Sequence, residues 1–346
     1  MKVTEVKKKV TIREVAERAG ISVTTASLIL NGKGDRFSEK TRQKVKLAQQ
    51  DLGYHPDYFA QGLVGQRRNS IGIVIPDILN QFFANFVQSI EQEAIPQGYF
   101  PQVFSVNGFH ENIDYFIEQF SGGTQKGLIL AAPGASQEIV DKVQTSTNVP
   151  MVFTDQAEVT KNGDVVLINE AEAGEIIASH LLALGHRRIA IVLPNDMAVN
   201  LFKRFSGYQA AFAKYNIPLP EELIFRTSFD PEGGRDVIQK IVQTDATAII
   251  AINDDMAVGV YRGLQAQGKK IPDDYSVVGF DDIPLADFLT PPLTTMAQPI
   301  NELGKMTVDM VLQRINEPKK AYKTVRLKAK LTVRESTREL KEEKRE

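Results

Sequence analysis

The sequence predicts a small all-α headpiece followed by an α/β core of two doubly wound parallel-sheet lobes, and three observations carry that expectation. Residues 11 to 31 read as two short helices broken at Ala19-Gly20. From Ser70 onward, short apolar runs alternate with longer helical periods, the pattern of parallel strands joined by crossover helices. Charge divides at the same place: residues 1 to 68 hold 14 Lys/Arg against 7 Asp/Glu, the remainder 27 against 36, so a chain of formal charge −2 is basic only at its front.

The headpiece elements follow from local chemistry. Thr11 can accept from the amide three residues on while Glu14 reaches back, a capping box that starts the first helix. Ile12, Val15, Ala16 and Ala19 then share one face, and Gly20 supplies the free φ of a tight turn. Ser22 caps a second helix whose Val23, Ala26, Ile29 and Leu30 are expected to pack inward, leaving Thr24, Thr25 and Leu28 outward. A third helix opens at Ser38, runs through Val45, Ala48 and Leu52, and stops at Gly53. The layout is that of a helix-turn-helix, which docks on duplex DNA; on spacing alone it is also that of a plain amphipathic hairpin. The basic front favours the first reading, because attraction to DNA comes mainly from Lys and Arg displacing counterions. Pro56 can then begin a brief helix, Asp57 to Val64, which Gly65-Gln-Arg-Arg-Asn breaks.

In the core, Ile71–Ile75, Gln102–Phe104, Gly127–Ala131, Met151–Phe153 and Val165–Ile168 read as one set of strands, with helices such as Phe83–Ala94 and Asp114–Phe120 between them. Ile189–Val192, Leu223–Arg226, Ala248–Ile252 and Val277–Phe280 form a second set. Two such sets imply two lobes with ligands beyond the carboxyl ends of the strands, in the cleft. Zero cysteines exclude disulfides and thiol chemistry; with no apolar signal core at the start and no run of about 18 apolar residues, a cytoplasmic protein is expected. Enzyme readings find little support. Gly122-Gly-Thr-Gln-Lys-Gly127 lacks the Lys-Ser/Thr of a phosphate loop, and His55, His110, His180 and His186 have no metal spacing, His186 reading as a helix-terminus residue. No catalytic residue and no metal are expected.

With headpiece, linker and two lobes in this order, the chain resembles the LacI/GalR family of bacterial transcription regulators over roughly residues 10 to 337. The resemblance is carried by Thr11-Ile-Arg-Glu-Val-Ala, Ser22-Val-Thr-Thr-Ala-Ser, Leu30-Asn-Gly-Lys, Leu52-Gly-Tyr-His-Pro, Ile71-Gly-Ile-Val-Ile-Pro-Asp-Ile, Leu184-Gly-His-Arg-Arg-Ile-Ala, Asn253-Asp-Asp-Met-Ala, Val278-Gly-Phe-Asp-Asp-Ile and Pro292-Leu-Thr-Thr. It implies a homodimer on a palindromic operator, with a recognition helix at about Ser22 to Asn31 in the major groove. Val23, Thr24 and Thr25 fall where the family reads bases, and Ser22, Asn31 and Lys33 where it fixes register; Thr11, Ser27, Leu28 and Tyr54 complete the implied DNA-binding set around the helix. Leu28 is a departure, standing where the family usually has Arg, so an altered operator preference is expected. Leu63 matches the hinge-helix leucine that wedges into the minor groove, flanked by Ala60 and Val64.

The same resemblance implies a periplasmic-binding-protein-like core with a small effector, a carbohydrate, between the lobes and no cofactor. Asp77, Phe82, Phe83, Arg204, Phe229, Asn253 and Asp281 lie at strand ends and suit a polyol: carboxylates accept from hydroxyls, Arg donates in a fork, and a Phe face covers a ring. The alternative for Arg204 and Asp281 is a bare interlobe ion pair. Asn169-Glu170 departs from the family's usual acidic pair. The implied boundaries are 1–55 for the headpiece, 56–69 for hinge and linker, 70–168 with 299–326 for the first lobe, 169–298 with 327–338 for the second, and 339–346 for a charged tail. The expected function is a repressor of carbohydrate-utilisation genes released by its effector. The alternatives are an effector or corepressor that tightens DNA binding, as in purine-repressor and catabolite-control types, or a plain sugar-binding protein, which would need a secretion signal and no headpiece. A single leucine in the tail, against the leucine heptad of family tetramers, implies a dimer only.

Overall fold

A computed structural model of the 346-residue chain describes residues 10–30, 33–54, 69–106, 125–131, 149–154 and 163–340, with positions 138, 141–142 and 145–146. The expected sites Asn31 and Leu63, the linker helix and the helix at Asp114–Phe120 lie outside these residues. The chain divides into two compact units, residues 1–67 and 68–346.

The first unit contains α1 (Ile12–Ala19), α2 (Val23–Leu30) and α3 (Glu39–Asp51). The Thr11 amide and hydroxyl both donate to the Glu14 carboxylate, at 2.6 and 2.8 Å, closing the capping box that starts α1. Gly20 ends α1 at φ 67°, a left-handed conformation that costs a residue with a Cβ more than it costs glycine. Ser22 Oγ accepts from the Thr25 amide at 3.2 Å and Ser38 Oγ from that of Thr41 at 3.3 Å, so both later helices begin on serine caps. Val15, Ala19, Val45, Ala48 and Tyr54 form the core, with Ile12, Ile29 and Leu30 packed against it. Val23 departs from expectation: it is 41% exposed. It begins α2, whereas the stripe of that helix that meets the core is Ala26, Ile29 and Leu30, one turn further on.

The second unit holds two six-stranded sheets. The first contains β1 (Ser70–Ile75), β2 (Phe100–Ser105), β3 (Gln125–Ala131), β4 (Met151–Thr154) and β5 (Asp164–Ile168) in the order β2-β1-β3-β4-β5, every pair parallel. The second repeats that order with β6 (Ile189–Pro194), β7 (Ile224–Thr227), β8 (Ala248–Ala251), β9 (Ser276–Asp281) and β10 (Thr294–Ala297). Burial of β1, β3, β6, β8 and β9 along nearly their whole lengths explains their continuous apolar runs, because helices cover both faces of such a sheet. Helices α4 (Gln81–Ala94), α5 (Glu170–Ala183), α6 (Val199–Lys214), α7 (Pro231–Asp236) and α8 (Asp254–Ala266) follow β1, β5, β6, β7 and β8.

The chain changes lobe after β5, again before α9 (Ile300–Asn316), which packs on the first sheet, and a third time between β11 (Thr324–Leu327) and β12 (Lys330–Thr332). β11 joins β5 in parallel; β12 joins β10 antiparallel, the single antiparallel pair among the described residues. Arg314 of α9 fastens the crossover with a two-pronged ion pair to Asp164 (2.9 and 3.0 Å), both side chains buried. Arg338 donates to the Pro272 and Asp273 carbonyls, and the Leu340 amide donates to the Leu184 carbonyl, so the chain stays bound to the second lobe two residues into the expected tail.

Candidate functional site

Both sheets reverse their strand order beside their first strand, the place where an open α/β sheet leaves a crevice at its carboxyl ends. The crevices open on one cavity, which takes in about 440 Å³ of empty space including volume open to solvent. The first lobe contributes Asn80, Phe82 and Phe83; the second contributes Ala198, Asn200, Leu201, Arg204, Phe229, Asn253 and Asp281; Gln298 lies at the crossover.

The apolar wall is built at the start of α4. Asn80 Oδ1 caps the helix by accepting from the Phe82 and Phe83 amides (3.1 and 3.4 Å), which turns both rings inward. The rings meet edge to face with centroids 5.1 Å apart, and they belong to the core as well as to the cavity wall. Asn80 Nδ2 also donates to Asp255 Oδ2 on α8 (3.1 Å), a hydrogen bond from one lobe to the other. Phe229, half exposed, precedes the Asp230 cap of α7 and offers an open ring face on the opposite side.

The polar floor is held by close helix crossings. A Cβ at Gly174 of α5 would collide with the Arg204 carbonyl, and one at Gly207 of α6 with the Ala171 carbonyl, so the two helices touch backbone to backbone only because both positions are glycine. This contact sets Glu170, in the first turn of α5, beside Arg204 of α6. Arg204 Nε donates to Glu170 Oε2 at 2.8 Å, Nη1 donates to the Ile252 carbonyl, and the guanidinium lies 3.3 Å from the Phe280 ring centroid. Burial alone would lower the Arg204 pKa, but the charge of Glu170 and its hydrogen bond, with the charge of Asp281, raise it. Arg204 is thus a permanent cation, with its remaining N–H donors available beside the cavity.

Asp281 ends β9 at φ 118°, and Asp282 follows at φ 57°; two successive non-glycine residues at positive φ are a costly arrangement of the kind found where a side chain must be aimed. Asp254 holds the bend, its Oδ2 accepting from the Ile283 amide (3.0 Å) and its Oδ1 from Thr295 Oγ1 (2.6 Å). The Asp281 carboxylate accepts from Gln298 Nε2 at 2.7 Å, and burial holds its pKa well above the ordinary value against the pull of Arg204. Asn253 caps α8 through Oδ1, accepting from the Met256 amide at 3.0 Å, with its amide nitrogen left at the cavity wall.

Of the expected cleft residues, Phe82, Phe83, Arg204, Phe229, Asn253 and Asp281 come together around the cavity. Asp77 does not: it is half-buried, its carboxylate accepts from the Leu79 amide (2.9 Å), and its charge acts on Asp255. The bare interlobe pair is also not formed. Arg204 and Asp281 stand on the same lobe, and the carboxylate paired with Arg204 is Glu170. Sequence reasoning missed Asn80, Asn200 and Gln298; Asn80 had a signal, a capping residue two positions before Phe82-Phe83. His186 does close the end of α5, its amide donating to the Leu181 carbonyl at 3.1 Å, and its ring is in addition a buried cross-link. It meets Thr247 Oγ1 at Nδ1 (2.8 Å), and Ser276 Oγ and the Arg338 carbonyl at Nε2 (2.9 and 3.1 Å), which burial favours in the neutral form.

On the headpiece, Val23 and Thr24 are exposed, while Thr25, Ser27 and Leu28 are half-buried. Helix α2 carries no charged side chain, so its open face offers hydroxyls and methyl groups alone. Ser22 Oγ is engaged with Thr25, Lys33 is exposed after the helix, Thr11 lies in the α1 cap, and Tyr54 is buried in the core. Among the described residues no helix is long and apolar enough to cross a membrane.

A helix-turn-helix head carried by a two-lobed α/β core with a polar, aromatic-walled cleft defines a DNA-binding regulator with a ligand-sensing core. Residues 11–57 match bacterial regulatory proteins of the lacI family, and residues 178–337 a periplasmic binding protein-like domain. The chain is 33% identical over 332 residues to the HTH-type transcriptional regulator DegA of Bacillus subtilis (95% of this chain, 98% of that protein) and 33% identical over 334 residues to the ribose operon repressor of Haemophilus influenzae (96% and 99%). A LacI family transcriptional regulator from Enterococcus faecium, solved with bound ribose, superposes with a TM-score of 0.74 at 33% identity, over 79% of this chain and 100% of that one. The chain belongs to the LacI family of bacterial regulatory proteins and is a DNA-binding transcriptional regulator.

Proposed function

We propose that the protein represses genes of carbohydrate utilisation and leaves its operator when a small sugar binds between the lobes. The observation that carries this reading is the cleft, where Arg204, Asp281, Asn253 and Gln298 converge on one side of a space walled by Phe82, Phe83 and Phe229. Such a wall suits a sugar ring, whose hydroxyl rim takes hydrogen bonds while its carbon face lies on an aromatic. The E. faecium relative, solved with bound ribose, supports the ligand class.

Release works by linkage. A ligand touching both lobes favours their closed arrangement, and if that arrangement holds operator less well, the DNA-bound population falls by the ratio of the ligand's affinities for the two states. In this reading the exposed face of α2, with Val23, Thr24, Thr25 and Leu28, reads bases, Leu63 wedges the minor groove, and two copies of the chain bind a palindromic site in the cytoplasm without performing catalysis. The test is selection of genomic fragments by the purified full-length protein, followed by footprinting with and without a panel of neutral sugars. A protected palindrome that one sugar releases is the expected result. Retention of chromosomal fragments no better than scrambled oligonucleotides would overturn the reading, and tighter protection with every active ligand would reverse its sign.

A further inference from the structure

We propose that Glu170, by neutralising Arg204, restricts the cleft to uncharged, hydroxyl-rich ligands and turns away phosphorylated or carboxylated ones. The inference rests on the reading of the cleft as an effector site and specifies the ligand's charge. Glu170 does not line the cavity; it acts through Arg204 and is a positioning residue.

Charge and hydrogen-bonding capacity point the same way. Among the described residues that line the cavity, Arg204 is the one basic side chain and Asp281 the one acidic side chain. An unpaired buried guanidinium would be a strong receptor for a phosphate or carboxylate, which it grips with two parallel hydrogen bonds. Glu170 removes that capacity. Its carboxylate is 4% exposed, its Oε2 takes the Nε donor that such a grip uses, and the pair at 2.8 Å leaves no net positive charge on the cavity floor. An arriving dianion would meet a carboxylate directly behind the guanidinium and Asp281 beside it, in a poorly screened setting.

The unsatisfied atoms around this floor are also oxygens. Asn200 Oδ1 and Gln298 Oε1 on the cavity wall, Glu170 Oε1 behind it and the Tyr208 hydroxyl beneath it are buried without a hydrogen-bond partner. Amide and carboxylate oxygens need donors, which hydroxyl groups supply and ionised phosphate or carboxylate groups do not. Position adds permanence to the pair: Glu170 stands in the first turn of α5, where an anion is favoured, and the Gly174–Gly207 backbone contact prevents α5 and α6 from drifting apart.

The experiment is titration calorimetry of the full-length protein, at constant ionic strength, with D-ribose, D-glucose and cellobiose against D-ribose 5-phosphate and D-glucose 6-phosphate. The wild type is expected to bind its best neutral sugar at least tenfold more tightly than either ester. Glu170→Gln keeps an oxygen for Arg204 Nε and removes the charge, and is expected to narrow that preference by tenfold or more. Glu170→Asp keeps the charge and is expected to retain the wild-type preference, which separates electrostatics from packing. An ester that binds the wild type as tightly as the best neutral sugar overturns the proposal, and so does an unchanged preference in folded Glu170→Gln. The readout is ligand binding alone: a protein with the expected preference that ignores all DNA would sink the regulator reading and leave this one, whereas operator release by a sugar phosphate would do the reverse.

Discussion

The recognition helix and the floor of the cleft are opposite solutions to presenting a binding surface. Helix α2 is eight residues long, carries no charge, and begins on the hydroxyl of Ser22 three residues from the amide it caps. The cleft floor depends on a buried guanidinium and carboxylate 34 positions apart, brought together by two glycines on different helices, and on a strained bend fixed by Asp254. The lesson is that the exposed face of α2 is local and tolerant, so side chains can be exchanged on it with little effect on folding. The cleft floor is woven into the core, and changes there reach stability as well as whatever the cleft binds.

The largest contrast is expected from truncation of the floor. Arg204→Ala strands Glu170 as a buried unpaired charge, a loss of about 3–5 kcal/mol in unfolding free energy, and removes the ligand response while the operator footprint persists. Denaturant titration and footprinting on the same preparation check both halves, and a variant of wild-type stability that still responds would break the contrast. A second test concerns pH. Burial lowers the His186 pKa to about 4, against 6.5 for a free histidine, so between these values the unfolded chain takes up a proton that the folded chain refuses. The stabilisation is complete above about pH 6.5 and is lost as pH falls toward 4. The stability advantage of wild type over His186→Gln should therefore shrink by up to a few kcal/mol across that window. Comparison with the variant cancels Asp254, whose carboxyl burial pushes up to about 7 and which acts in the opposite direction. An advantage independent of pH would mean that His186 is not held neutral.

On the reading helix the effects are smaller and concern specificity. Leu28→Arg adds a forked donor to a surface that has none, and binding-site selection should shift toward guanine at one position per half-site by about 1–3 kcal/mol. An unchanged site preference would place Leu28 away from the base edges. Smallest of all, Ser22→Ala removes one cap and should cost about 1 kcal/mol of headpiece stability, read by thermal unfolding of the full-length protein.

The same contrast explains what was legible in the sequence. The three headpiece helices could be read because their signals, Thr11 with Glu14, Gly20, Ser22 and Ser38, act within four residues. Most strands could be read because burial on both faces leaves continuous apolar runs. β10, β11 and β12 could not: they have four, four and three residues, with Thr and Lys among them, and the last two are edge strands. The strand expected at Leu223–Arg226 runs one residue later, at Ile224–Thr227, because Leu223 closes a short helical turn. Cleft residues at strand ends were accessible by counting strands. The partner of Arg204 was not, because Glu170 reaches it only through a helix crossing whose sole trace in the sequence is two glycines inside helical periods, Gly174 and Gly207. Periodicity directs Val23 inward because it cannot tell where along a short helix the packed neighbours end.

The most direct test is a titration of a selected operator with full-length protein, in the absence and presence of a saturating neutral sugar, for wild type and Arg204→Ala. The sugar is expected to weaken wild-type operator affinity by tenfold or more and to leave the variant's unchanged. Equal affinity of the wild type with and without every sugar tested, or equal release from the variant, would contradict that expectation.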